Sequence, residues 1–284
     1  MVMSEVPMGS RDDVLTGGGT GGVTSSPMAF PIPAEELGTV SIVPNGSFEA
    51  GSYQTFVLTY VAGKFGIDDS GSMRVCFRFA SDQTRPQFED PKGPNYTTIE
   101  ASNNAVLTYH YDPKGNVRPW DRTLYIKVVR GFLREGDKIT ITFGDRSGGS
   151  PGMRLQTFCE DSYEFHTLID PIATYCYQPM PVQPVIKIIP GKPDRYLAVA
   201  PTIRAIDESF SIKFKGEDKW GNPSDQCDIQ LYPRASHPVQ NLPDVISLKP
   251  GEFFGVIEGL SVADAADLHI DFLDDAGAVM CRTN

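Results

Sequence analysis

Short runs of alternating apolar and polar residues constrain the fold of this chain most strongly. In Met73–Phe79, arginines and a cysteine alternate with valine and phenylalanine, and Lys138–Phe143 alternates in the same way. A period of two indicates a strand with one buried face and one polar face. The chain also has 23 prolines and 27 glycines and almost no long helical periodicity. The sequence therefore predicts an all-β protein built from antiparallel β-sandwiches.

Composition divides the predicted strands into two tandem sandwich domains. Residues 1–33 are rich in Gly, Ser, Thr and Met, which predicts a disordered tail. A sandwich or jelly-roll-like domain is predicted over residues 34–176, and residues 177–184, with three prolines in eight positions, are predicted as a linker. Residues 185–284 have the size and strand number of an immunoglobulin-like sandwich. Their segment Asp218–Asn222 resembles the Asp-x-aromatic-Gly-Asn turn of filamin-like and bacterial immunoglobulin-like domains.

Net charge and hydropathy narrow the class of partner. The formal charge of −11 argues against nonspecific binding to nucleic acid or to anionic membranes, which requires clustered Lys and Arg. No apolar run approaches the roughly 20 residues that a membrane-spanning helix needs. Residues 1–33 lack the basic and apolar regions of a signal peptide. We therefore expect a cytoplasmic protein that binds neither nucleic acid nor membrane, and oligomer formation stays open.

Histidine and cysteine spacing predicts no catalytic, cofactor-binding or metal-binding residue in this chain. None of the four histidines lies two or four positions from another, and none of the five cysteines forms a CxxC pair. The cysteines are predicted to be buried free thiols. His269 and Asp271 share a predicted strand face, and we interpret them as a surface polar pair.

A glycine-rich segment, 144–152, connects two predicted strands, Lys138–Phe143 and Met153–Cys159. Its glycines allow positive φ and close backbone approach, but the pattern is not that of a phosphate-binding loop. We expect this segment to be ordered and packed, with Arg146 paired to a carboxylate.

Arginines and aromatic residues are dense in the first predicted domain. Guanidinium groups bind carboxylates and partner surfaces, so one interpretation is a surface for a partner domain or ligand. The candidate contact residues are Arg85, Phe88, Arg118, Trp120, Arg122, Asp145 and Arg146. The other interpretation is that arginines pair internally with carboxylates and fix long loops. The candidate partners are Asp82, Asp90, Asp121, Asp145 and Glu160.

Several blocks of the chain, taken together, resemble one bacterial family of unknown function. These blocks are Gly66–Asp82, Pro94–Ser102, Asn116–Trp120, Gly144–Gly152, Gln156–Glu160 and Leu168–Ala173. In that family an N-terminal β-rich region precedes a hydrolase-like domain related to the polymerase-and-histidinol-phosphatase (PHP) superfamily. That domain is metal-dependent and has a distorted β/α-barrel fold.

The resemblance implies a non-catalytic β region or subunit that scaffolds and shapes the active site of a PHP-like hydrolase. The family's metal-binding part opens with a Gly-Asp-Leu-His-type strand, which we expect beyond Asn284 or on a separate subunit. The divalent metal is therefore expected in that catalytic domain or partner, with no ligand from this chain. Two alternatives stay open. One is a free-standing ligand- or carbohydrate-binding β-sandwich with Trp120 and Trp220 on one face, and the other is a self-contained hydrolase that uses loop carboxylates.

Overall fold

The computed structural model describes residues 32–284, and this part of the chain is all-β. A single turn of 3-10 helix, Ala34–Glu36, precedes the first strand. Nearly all of the predicted tail, residues 1–31, lies outside the described residues. Within residues 32–284 no helix has the length and apolar character needed to cross a bilayer.

Fourteen strands make the first unit. They are β1 Gly38–Val43, β2 Ser47–Glu49, β3 Tyr53–Gln54, β4 Phe56–Ala62, β5 Ser72–Phe77, β6 Thr97–Ala101, β7 Val106–Asp112, β8 Arg122–Arg130, β9 Lys138–Phe143, β10 Met153–Arg154, β11 Glu160–Glu164, β12 His166–Asp170, β13 Gln178–Pro179 and β14 Val185–Ile189. A four-stranded sheet, β1-β4-β9-β6, and a five-stranded sheet, β13-β12-β5-β8-β7, contribute most of its buried side chains. Smaller sheets, β10-β3 and β11-β14-β2, complete the unit.

The first core forms because both large sheets alternate in the predicted way. Val75 and Phe77 of β5 are buried, whereas Arg74 lies on the opposite face. The ring of Phe77 lies 5.8 Å from that of Phe143 and 5.5 Å from that of Phe165, at steep angles that favour edge-to-face packing. Phe79 was expected on the core side, but β5 ends at Phe77 and Phe79 is 45% exposed.

Seven strands make the second unit. They are β15 Arg195–Val199, β16 Phe210–Glu217, β17 Ile229–Ala235, β18 Ile246–Leu248, β19 Gly255–Leu260, β20 Ile270–Leu273 and β21 Val279–Arg282. The first, second and fifth of these form one sheet, and the other four form the second sheet in the order β18-β17-β20-β21. Both sheets bury side chains in one separate core, as in an immunoglobulin-like sandwich. The prediction of two tandem β-sandwiches is confirmed.

The two cores separate later in the chain than the sequence predicted. Residues 177–184, predicted as a linker, pack on the first unit: β13 pairs with β12, and Gln183 Nε2 donates a hydrogen bond to the Thr167 carbonyl at 3.0 Å. Strand β14 was predicted in the second sandwich. It pairs in parallel with β2 and buries Ile186 and Ile188 in the first core. The predicted linker and the strand after it therefore belong to the first unit.

A buried carboxylate organises the turn Asp218–Asn222, which follows β16. The Asp218 carboxylate accepts hydrogen bonds from the backbone N–H groups of Gly191 at 3.1 Å and of Trp220 and Asn222 at 2.9 Å. It also accepts one from Asn222 Nδ2 at 2.9 Å. Burial acts to raise the pKa of Asp218, but these hydrogen bonds outweigh burial and hold that pKa below its usual value. The charged carboxylate thus fixes the turn and the chain that enters the second unit.

The same turn joins the second unit to the first. Asn222 Nδ2 donates to the Thr157 carbonyl at 2.9 Å, and Asn222 Oδ1 accepts from the Cys159 N–H at 3.2 Å. Trp220 Nε1 donates to the Ala50 carbonyl at 3.1 Å. The turn that the Asp-x-aromatic-Gly-Asn pattern predicted is therefore present, and its side chains contact the neighbouring unit.

The first-unit core can be tested with two phenylalanines that lie two residues apart. Phe77→Ala should lower the free energy of unfolding by about 3–5 kcal/mol, because it empties a fully buried aromatic site. Phe79→Ala should cost less than about 1 kcal/mol, because that ring is half exposed. Urea denaturation measures both, and equal losses would contradict the assigned end of β5.

The Asp218 carboxylate should make junction stability depend on pH. Its folded-state pKa is lowered, so its contribution is complete above the unfolded-state pKa of about 3.9 and is lost as pH falls through the folded-state value. Asp218→Asn should therefore cost about 2–4 kcal/mol at pH 7, and the gap to the wild type should narrow below pH 4. The control is Asp228→Asn, at an exposed position. A pH-independent gap measured by urea unfolding would disprove the role of charge.

Candidate functional site

The outer face of the five-stranded sheet carries a polar and aromatic site. Arg74 of β5 lies opposite Tyr125 of β8, which in turn lies opposite His110 of β7. Two residues away on β8, Thr123 lies opposite Asp112 of β7. Paired residues project to the same face of a sheet, so these side chains all lie on the side away from the core.

Two loops turn this face into a cavity of about 220 Å³. It is lined by Arg74, His110, Asp112, Gly115, Thr123, Tyr125 and Tyr175. The Asp170 carboxylate at the end of β12 shapes one loop by accepting hydrogen bonds from the N–H groups of Thr174 at 3.0 Å and of Tyr175 at 2.6 Å. Tyr175 has φ 61° and a 77% exposed side chain, which places it at the cavity rim.

Arg74 is held in place by aromatic and amide contacts. Its guanidinium carbon lies 3.7 Å from the centre of the Tyr177 ring and 5.8 Å from that of Tyr125. Nη1 donates to Asn116 Oδ1 at 3.4 Å, and the buried Nε finds no acceptor among the described protein atoms. The Tyr177 hydroxyl contacts Ser72 Oγ at 2.6 Å, and burial raises the pKa of Tyr177 to about 12. Tyr177 is therefore neutral at physiological pH, and the positive charge of Arg74 is not balanced by it.

All five cysteines are free. Cys76 and Cys227 are buried as predicted, whereas Cys159 is exposed, because it lies in a loop and not in the predicted strand. Cys76 shares the outer face with Arg74, and burial raises the pKa of its thiol to about 11. The Cys76 thiol is therefore protonated at neutral pH and is not an activated nucleophile.

A stack of three side chains lies beside the cavity on the same face. The rings of Trp120 and His166 lie 4.7 Å apart and nearly parallel, and the Arg78 guanidinium lies 5.2 Å from the Trp120 ring centre. His166 Nδ1 contacts Glu164 Oε1 at 2.6 Å, and Arg78 Nη1 lies 3.2 Å from Glu160 Oε1. Trp120 is thus a predicted contact residue that the structure places on an ordered, partly exposed surface.

Arg118 extends this surface. Its guanidinium lies 4.8 Å from the centre of the Phe79 ring, and its Nε lies 3.4 Å from Asp121 Oδ2. The side chain of Arg118 is 74% exposed, and the neighbouring Val117 is 78% exposed. Arg118 therefore combines an internal ion pair with an outward-facing guanidinium.

Three other predicted contact residues lie elsewhere in the first unit. Arg122 is opposite Phe77 in the sheet and donates to the Ser81 carbonyl. Phe88 packs 4.8 Å from the Tyr109 ring against the first core, and Arg85 is exposed in the same long loop. Of these three residues, Arg122 is tied to the segment that follows β5 through Ser81, and Phe88 is held by the first core.

The glycine-rich segment 144–152 is packed, but Arg146 has a different partner from the one predicted. Arg146 Nη2 donates to the Tyr53 carbonyl at 2.9 Å, and among residues 32–284 no carboxylate forms an ion pair with it. Asp145 accepts hydrogen bonds from the Ser147 N–H at 2.9 Å and Thr98 Oγ1 at 2.9 Å, and these bonds, the first above all, lower its pKa. The acceptor for Arg146 is therefore a backbone carbonyl and not the expected carboxylate.

The glycine-rich segment 144–152 packs against the long loop that contains Arg85 and Phe88. The Asp145 N–H donates to the Tyr96 carbonyl at 2.7 Å, and a Cβ at Gly148 would collide with Pro91. Only β10 is a strand within the predicted run Met153–Cys159, because the chain then turns toward the junction with the second unit. Much of the glycine requirement of this segment thus comes from packing.

Asp271, which was predicted to form a surface polar pair with His269, is contacted by two arginines. Asp271 Oδ1 accepts a hydrogen bond from Arg282 Nε at 2.6 Å, and Arg234 lies 3.5 Å away. The Arg282 hydrogen bond lowers the pKa of Asp271. Within the described part of the chain, no three His, Cys, Asp or Glu side chains are grouped to hold a metal ion.

Sequence reasoning missed the cavity as a site. The alternation of Met73–Phe79 placed Arg74 on the polar face of a strand, but the sequence did not single out Tyr125, Tyr175 or Tyr177. The alternation of polar and apolar residues in β5 and β8 indicates which of their side chains share the outer face. The strand order that brings β5, β8 and β7 together does not follow from alternation alone.

No protein-family model matches this chain, and no curated protein matches it. Among solved structures, the chain is similar to the crystal structure of collagen adhesin (CNA) from S. aureus. The similarity covers 88% of this chain and 93% of that chain, with 9% sequence identity and a TM-score of 0.17.

The contrast between two arginines tests how the glycine-rich segment is held. Arg146→Ala should lower the free energy of unfolding by no more than about 1 kcal/mol, because it removes one hydrogen bond from an exposed side chain. Arg154→Ala should cost about 1.5–3 kcal/mol, because Arg154 is partly buried and pairs with Asp82 at 3.5 Å. Urea denaturation separates the two variants, and an equal or larger loss for Arg146→Ala would show an unrecognised partner.

Proposed function

We propose that this chain is a non-catalytic β region or subunit that docks onto a PHP-like metal-dependent hydrolase and helps to shape its active site. The observation that carries the proposal is a surface formed by Arg78, Phe79, Arg118 and Trp120, here named the anchor surface. Its arginines lie on aromatic rings and its residues belong to blocks that carry the family resemblance.

The composition of the anchor surface suits a protein partner. Trp and Arg are enriched among the residues that dominate binding energy at protein interfaces, and they act best when surrounding contacts exclude water. Phe79 is 45% exposed and Val117 is 78% exposed, so apolar area beside the arginines is open to a partner. Arg78 and Arg118 each have a carboxylate neighbour, which holds their side chains in position before docking.

The junction between the units supports a scaffold role. The turn Asp218–Asn222 makes several hydrogen bonds to the first unit through Trp220 and Asn222. A scaffold acts by presenting surfaces at a fixed separation, and this junction limits relative motion of the two sandwiches. In this proposal the divalent metal and the catalytic groups belong to the hydrolase domain or subunit, and the complex is cytoplasmic.

A free-standing carbohydrate-binding protein was expected to present Trp120 and Trp220 on one face. The two rings contact different residues. Trp120 stacks on His166 and Arg78, whereas Trp220 bonds to Ala50 at the junction. Each tryptophan is therefore held by contacts within this chain.

Docking should protect the anchor surface from hydrogen exchange. The probe is a recombinant PHP-like domain from a family member whose β region carries the same sequence blocks. We expect slower exchange in residues 78–82 and 116–122 of this chain when that domain is added at saturating concentration. Arg118→Ala combined with Trp120→Ala should weaken the affinity at least about 30-fold, since each anchor contributes about 1 kcal/mol or more.

The matched control is the pair Phe132 and Arg134, whose guanidinium also lies over a ring, at 5.0 Å. Replacing both control residues by Ala should leave the affinity within about twofold. Protection confined to the second unit, or an equal effect of the control variant, would overturn the docking proposal.

A further inference from the structure

We propose that the cavity around Arg74 binds a small carboxylate that also carries hydrogen-bond donors, such as a sugar acid or an α-amino acid. This inference does not depend on the docking proposal. It assigns a small-molecule site to the outer face of the five-stranded sheet, beside the anchor surface.

Arg74 has no carboxylate partner among residues 32–284, whereas the arginines Arg78, Arg154 and Arg282 each pair with a carboxylate. Arg74 has contacts with Tyr125, Tyr177 and Asn116, all of them neutral, and its buried Nε has no acceptor among the described protein atoms. A guanidinium that is held in orientation and has no carboxylate within 4 Å favours an anion with two acceptor oxygens.

The acidic residue in the cavity wall determines which anion fits. Asp112 lines the same cavity, and its Oδ1 already accepts a hydrogen bond from the Lys114 N–H at 2.8 Å. The Asp112 carboxylate repels a dianion such as phosphate. It can also accept hydrogen bonds from a hydroxyl or ammonium group of a ligand. The cavity therefore selects a monocarboxylate with donors at its other end.

The size and shape of the cavity suit a small ligand. A cavity of about 220 Å³ is smaller than the ~300–1,000 Å³ sites that hold drug-sized ligands. Aromatic walls from His110, Tyr125 and Tyr175 offer flat apolar area for a ring or a short side chain. Tyr175 stands at the rim, where its exposed ring can cover a bound ligand.

Calorimetric titration of the full chain tests the proposal with matched probes. Glucuronate and glucose differ in the carboxylate, whereas serine and acetate differ in the donor groups. We expect glucuronate or serine to bind with a dissociation constant at or below about 1 mM, and glucose, acetate and inorganic phosphate to bind at least about tenfold more weakly. Preference for glucuronate identifies a sugar acid, and preference for serine identifies an amino acid.

Three variants separate binding from folding, and thermal unfolding reports the stability of each. Arg74→Lys should weaken the preferred probe at least tenfold, because a lysine cannot make the paired contacts of a guanidinium. Tyr175→Ala removes an exposed side chain at the cavity rim, so the fold should stay intact and binding should weaken at least threefold. This variant tests the site even if Arg74→Lys unfolds. Arg130→Lys, an exposed change on β8, should leave affinity unchanged.

Three results would overturn the site. The first is that neither glucuronate nor serine binds, and the second is that glucose binds as tightly as glucuronate. The third is that folded Arg74→Lys and Tyr175→Ala variants both keep wild-type affinity.

Discussion

The pairing of β5 with β8 is the constraint on which the rest of the first unit depends. Pairing of the two strands directs alternate side chains to opposite faces. A single strand register therefore determines which residues enter the core and which lie on the outer surface. Val75 and Leu124 are buried on one face, while Arg74 and Tyr125 lie together on the other. A shift by one residue would place arginines in the core, at a free-energy cost that ordinary packing cannot offset.

The link between the units depends on a different interaction, the buried Asp218 carboxylate. A carboxylate is tolerated there because four hydrogen-bond donors surround it, and the same donors set the path of the chain from Gly191 to Asn222. Asn222 and Trp220 then reach carbonyl and N–H groups of the first unit. The junction is therefore polar and directional, because it consists of hydrogen bonds with defined donors and acceptors.

Local pattern predicted the fold class and the division into two sandwiches, because strand alternation and strand number are properties of short segments. It misplaced the boundary, because β14 is assigned by its pairing with β2, about 140 residues earlier in the chain. It also misassigned the partner of Arg146, because an exposed arginine donates to any nearby acceptor and the Tyr53 carbonyl is supplied by a distant strand. The cavity around Arg74 needs β5, β8, β7 and the Asp170-capped loop in one place, and no single segment encodes that assembly.

The anchor surface and the Arg74 cavity share one strand and one face. Arg74, Cys76 and Arg78 alternate outward along β5 and past its end, and His166 lies opposite Cys76 on β12. Because successive outward positions on a strand are about 7 Å apart, Arg78 lies roughly 13 Å along the strand from Arg74, with Cys76 between them on the outer face. A ligand carboxylate bound at Arg74 neutralises the positive charge of that side chain. A partner docked on Arg78 and Trp120 then meets a different electrostatic potential on this face. If both proposals hold, the two sites are energetically coupled, and linkage requires that the partner alter carboxylate affinity by the same factor as the carboxylate alters docking.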